Sequence, residues 1–182
     1  MLSRGVTKTG KARANLTPAG AIGRGLIAAA LGTAAMDALL YSRYRREDGE
    51  DSFLTWEFSS GVSSWDDAPA PAHIGKRLFE GLFQREVPVE RAGLVNNITH
   101  WGYGILGGVQ YGIFAGSLSA PRIVYGLPFG ATVWATSYVV LPLAHLYEPI
   151  WKYDPTTLAK DLSAHLLYGL TTAAAFDLLS RV

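Results

Sequence analysis

The stretch NNITHWGYGILGGVQYGIFAG, residues 96–116, decides the fold. It contains no Asp, Glu, Lys or Arg. Four of its glycines, Gly104, Gly108, Gly112 and Gly116, recur at every fourth position, with His100 one step upstream. In water each glycine inside a helix costs about 1 kcal/mol relative to alanine. Between helices in a bilayer the same residues form a groove in which a second backbone approaches closely, and van der Waals contact offsets that cost. At about 100° per residue, the row occupies one half of the helix, bordered by Val109 and Tyr111. Leu106, Phe114 and Tyr103 fall on the other half together with Gln110. The stretch therefore reads as a membrane helix with a packing surface, whose partner lies in this chain or in another.

The rest of the chain extends that reading. Of its 182 residues 49% are hydrophobic and 17% charged. Nearly all the charges lie outside four apolar segments, Gly25–Tyr41, Ile98–Leu118, Ile123–Leu146 and Leu162–Leu179, which only Asp37 and Asp177 interrupt. Each is close to the roughly 20 residues that span a bilayer core. The expected fold is an all-α integral membrane protein: a basic tail over residues 1–24, then one domain over 25–182 with four transmembrane helices. A polar loop at about 45–95 separates the first two spans. The tail carries Arg4, Lys8, Lys11, Arg13 and Arg24 without an acid, and suits a membrane surface or a topology signal. The first apolar run passes straight into Arg43, Arg45 and Arg46 and does not resemble a cleaved leader.

The loop begins acidic and then changes character. In SSWDDAPAPAHIGKRLFEGLF, residues 63–83, Ile74, Leu78 and Leu82 repeat every fourth position beside Phe79 and Phe83. This predicts a short amphipathic helix lying on the membrane, on the bundle or on a partner, capped by Asp66 or Asp67. Pro128 and Pro142 predict kinks in the third span. Asp154 and Pro155 are expected to cap and open the fourth. Lys and Arg number seven on the side of the termini and nine on the other, which leaves orientation open.

Antiparallel spans would gather Asp37, His100, His145 and His165 in one half of the membrane, with Asp177 alone near the other face. Ionisable groups within spans are costly and point first to function. Two imidazoles could ligate haem iron, three with a carboxylate could hold a divalent metal such as zinc or iron, and the set could titrate near neutral pH. The plainer alternative is that each histidine bonds a neighbouring helix near the headgroups. The chain has no cysteine, which excludes disulfides, thiolate metal sites and thiol nucleophiles. A net charge of +1 carries no sign of a nucleic-acid partner. No phosphate-binding glycine loop or nucleophile elbow is present, so catalytic residues are not assigned.

NITHWGYGILGGVQYGIFAG, PRIVYGLPFGATVWATSYVVLPL and DLSAHLLYGLTTAAAFDLLSR resemble the last three spans of the YagU-type bacterial inner-membrane proteins. That family is largely uncharacterised and is linked with acid tolerance. The resemblance implies a multi-pass protein of the bacterial cytoplasmic membrane with its N-terminus inside. The resulting functional expectation is a small non-enzymatic membrane protein. It would serve as a helix-packing accessory subunit or scaffold, as a homo-oligomer or within a larger complex. A proton-linked transporter or pH-responsive protein, and a haem- or metal-binding redox protein, are the alternatives.

Overall fold

A computed structural model describes residues 16–58, 64–118 and 122–181, so most of the basic tail lies outside the described residues. The described part is all-helical, with no strand. The first helix, α1, spans Pro18–Arg46 and therefore starts inside the segment expected to be tail. Thr17 caps it by accepting a hydrogen bond from Gly20 N, and Pro18 supplies the fixed φ of the first turn. Arg43, Arg45 and Arg46 close its last turn, where cations meet the negative end of the helix dipole. A six-residue helix, α2, spans Phe53–Phe58, and α3 spans Ala70–Phe83. Asp66 and Asp67 do not cap α3; they belong to a separate 3-10 turn, and Pro69 takes the cap position instead.

A 3-10 turn after Pro88 runs directly into α4, Ala92–Gly116, and α5 covers Gly126–Leu143. The prolines of α5 fall in its first and last turns, so Pro128 and Pro142 do not break the middle of the helix. Asp154 accepts hydrogen bonds from Thr156 N and Thr157 N at 2.9 and 3.0 Å to open α6, Pro155–Leu179. Three helical segments, α1, Ile123–Leu143 and α6, are long and apolar enough to cross a bilayer. The remaining long helix, α4, has 25 residues and no Asp, Glu, Lys or Arg.

The long helices alternate in direction, and α1 lies between α4 and α6, with α5 on the far side of α6. The glycine row is filled from within the chain. A Cβ on Gly108 would collide with the carbonyl oxygen of Gly25, and one on Gly112 with that of Ala21. Gly104 faces Thr33, and Gly116 faces Ala21. A second glycine contact joins α5 to α6, where a Cβ on Gly169 would lie 2.6 Å from the backbone nitrogen of Gly130. The middle is aromatic. Tyr111 of α4 packs on Phe129 of α5 at 5.0 Å and edge-on to Phe176 of α6 at 5.6 Å. Leu106, Phe114 and Tyr103 are exposed on the opposite side of α4, as is Gln110.

One end of the bundle carries the turn between α4 and α5. There Arg24 of α1 donates to the carbonyl of Leu179 at 2.8 Å, and Asp177 pairs with Arg181, just past the end of α6. Asp177 is thus not isolated. The other end, called the loop end below, carries α2 and α3. Arg43 donates to the carbonyl of Lys160 at 2.7 Å, and Lys160 pairs with Glu47. α3 rests on α4 through small residues, with Gly75 against Val95 and Thr99 and with Ala72 buried. Its Leu78, Phe79, Leu82 and Phe83 remain exposed, and its Arg77 donates to Ala144 O beyond the end of α5 at 2.6 Å.

Candidate functional site

Antiparallel packing of α1 on α4 brings one carboxylate and one imidazole together at the loop end. Nε2 of His100 lies 2.8 Å from Oδ1 of Asp37. Asp37 is only 2% exposed, whereas His100 keeps partial access to solvent. The other carboxylate oxygen, Oδ2, is buried with no hydrogen-bond partner, and so is Oδ1 of Asn96 on α4. Buried acceptors left unmet are unfavourable, and each one calls for an explanation.

The sequence-predicted quartet does not converge. His165 lies on α6 and bonds within its own helix, with Nδ1 3.0 Å from Asp161 O and 3.3 Å from Asp161 Oδ1. The Tyr138 hydroxyl of α5 donates to the same aspartate at 3.0 Å. His145 is exposed at the end of α5, for a reason written in the backbone. Leu146 N bonds Leu141 O, and His145 N bonds Pro142 O, which is the Schellman closure of a helix. His145 takes the left-handed position of that closure, with φ 56°. Among the described residues, no three His, Asp or Glu side chains group closely enough to hold a metal ion. The Nε2 atom by which His100 would ligate haem iron is turned to Asp37.

Sequence reasoning missed two residues. Asp161 precedes His165 by one helical turn, and that spacing was a usable signal. Glu57 had no such signal, because α2 is placed by tertiary contacts alone. Tyr41 meets Phe53 edge-on at 5.3 Å and lies 5.4 Å from the Trp56 ring. The Tyr44 hydroxyl donates to Asp51 Oδ2 at 2.8 Å and accepts from Asp51 N. These contacts fold α2 back over the start of α4. There Glu57 accepts hydrogen bonds from Trp101 Nε1, at 2.7 Å, and from the Asn97 amide. Burial raises the Glu57 carboxyl above its ordinary range, and the nearby Asp37 carboxylate adds to the rise. The donors on α4 and His100 pull the other way.

Between α1, α2, α4 and the start of α3 lies a half-open cavity of about 470 Å³. Asp37, Asp51, Glu57, Asn96 and His100 supply its polar groups, and Trp56 and Tyr44 line it with aromatic surface. Among the described residues, no lysine or arginine lines it. Chemically, the site can accept hydrogen bonds, hold positive charge and exchange a proton at an imidazole.

The chain matches no protein-family model, no curated protein and no solved structure.

Proposed function

We propose that the chain is a small multi-pass membrane protein whose working part is a proton-linked, pH-responsive site at Asp37 and His100. The observation that carries this reading is a carboxylate 2% exposed, bonded on one oxygen to an imidazole and left buried without a partner on the other, on a residue that lines a cavity. An imidazole titrates close to neutral pH, and a carboxylate partner ties its charge to the packing of two helices. In this reading α4 is the fourth span. It is about 37 Å long by helix geometry, carries no charge, and lies antiparallel along α1, itself long and apolar enough to cross the bilayer. The YagU-type resemblance adds a bacterial cytoplasmic membrane with the N-terminus inside. The test is proton flux into liposomes holding the purified chain. Flux that is lost in Asp37→Asn and His100→Ala supports the reading, and flux unchanged in both removes it.

A second reading, an accessory subunit of a larger membrane assembly, is favoured by the exposed Leu78, Phe79, Leu82 and Phe83 of α3. It no longer draws on the glycine row, which α1 fills. Purification in mild detergent, followed by mass measurement of the complex, tests it.

A further inference from the structure

We propose that the loop-end cavity binds a primary organic ammonium ion, an amine that carries N–H donors. The assignment rests on the reading of Asp37 and His100 as the working site and names what that site takes.

Charge comes first. Three carboxylates, Asp37 from α1, Asp51 from the following loop and Glu57 from α2, line the cavity, and among the described residues His100 is the one basic side chain that faces them. Such a lining concentrates cations and repels anions. Hydrogen bonding narrows the class. Asp37 Oδ2 and Asn96 Oδ1 are buried acceptors without a donor, and both residues line the cavity. Glu57 is held in position by Trp101 and Asn97, and Asp51 by Tyr44. Of organic cations, one that brings N–H groups can supply these two unbonded acceptors with a donor; a quaternary ammonium has none to give. Size and lining complete the case. About 470 Å³ is far more room than one bare metal ion fills, and the described residues offer no three-ligand metal group. Trp56 and Tyr44 provide aromatic faces for an alkyl stem or for the cation itself.

A bound ammonium favours the ionised form of Asp37 and the neutral form of His100. Amine and proton therefore compete for one site, and each lowers the affinity for the other by the same factor. Tyr44, Asp51 and Glu57 are the other titratable groups that face it.

The experiment uses the full chain in phospholipid nanodiscs, with butylammonium, tetramethylammonium and Mn²⁺ as separate probes followed by calorimetry and tryptophan fluorescence. Saturable butylammonium binding at pH 7 is expected. Asp37→Asn, which keeps the shape of the side chain, and Glu57→Gln, which lies outside the long-helix bundle, should each weaken it about tenfold, a loss of one charged hydrogen bond. Tetramethylammonium should bind about tenfold more weakly, because it has no N–H to offer. Absence of saturable butylammonium binding overturns the proposal. So does equal affinity for tetramethylammonium, tighter binding of Mn²⁺, or affinity unchanged in both variants. Proton flux that depends on Asp37 and His100 while no ammonium binds overturns this inference alone. Ammonium binding with flux unchanged in both Asp37→Asn and His100→Ala removes the proton-linked reading instead.

Discussion

His100 and Asp37 stand 63 residues apart in the chain and meet at 2.8 Å across the contact of α1 with α4. Thr33 is one turn back along α1 and faces Gly104, one turn on along α4 from His100. The polar pair and the glycine row are thus parts of one helix contact.

Removal of Asp37 leaves His100 without its acceptor. Asp37→Ala should lower stability by about 1–3 kcal/mol, the usual cost of an orphaned buried partner. A double-mutant cycle with His100→Gln should show coupling between the two positions, measured by denaturant unfolding in mixed micelles. Strictly additive losses would show that the two side chains act independently.

The glycines of α4 differ sharply in what surrounds them. Gly108→Leu places a side chain on the Gly25 backbone and should cost about 1–3 kcal/mol or more, as overpacking does. Gly102 has nothing within 4 Å of the position its Cβ would take. Gly102→Ala should be neutral or gain up to about 1 kcal/mol of helix propensity. Thermal unfolding compares them. Light scattering should give one oligomeric mass for the native chain and for Gly102→Ala, because the row is satisfied within the chain.

Glu57 gives a pH dependence of definite sign. Its folded carboxyl holds the proton more tightly than the unfolded chain, for which 4.5 is the ordinary value. Stability from this group is therefore greatest below that value and falls as pH rises through the raised folded one. Glu57→Gln should flatten the fall, and Asp37→Asn should reduce it, since the Asp37 charge is one of its causes. Unfolding midpoints of the three proteins across pH 4 to 8, within about two units either side of a perturbed carboxyl, decide this.

How much of this was legible in the sequence depended on the range of the forces involved. Helix positions follow from apolar runs, and the Asp154–Pro155 start of α6 follows from local capping chemistry. The half of α4 that packs follows from the spacing of small residues. The site was only half legible. Direction and depth placed Asp37 near His100, but the same logic overcounted. Depth alone says nothing of azimuth, and the Schellman turn after Pro142 takes His145 out of the group. Glu57 was invisible because no periodicity governs six residues held by Tyr41 and Tyr44.

The exposed face of α3 predicts where that helix lies. The chain has no cysteine, so single labels can be introduced cleanly. Nitroxides at Leu82→Cys and Phe83→Cys should be reached by lipid-soluble oxygen, and one at the exposed Glu86→Cys by a water-soluble nickel reagent. Aqueous access at all three positions would place α3 off the bilayer.

Backbone packed against backbone is smooth. The contact of Gly25 with Gly108 and Gly112 brings two helices close, and what projects into it is small: the carbonyl oxygens of Gly25 and Ala21 and the methyl of Ala29. Axial registry must come from what interlocks further along, namely Thr33 set against Gly104 and the bond from His100 to Asp37. The hydrogen bond at the loop end therefore works as a detent. Together with Thr33, it sets how far α1 stands along α4.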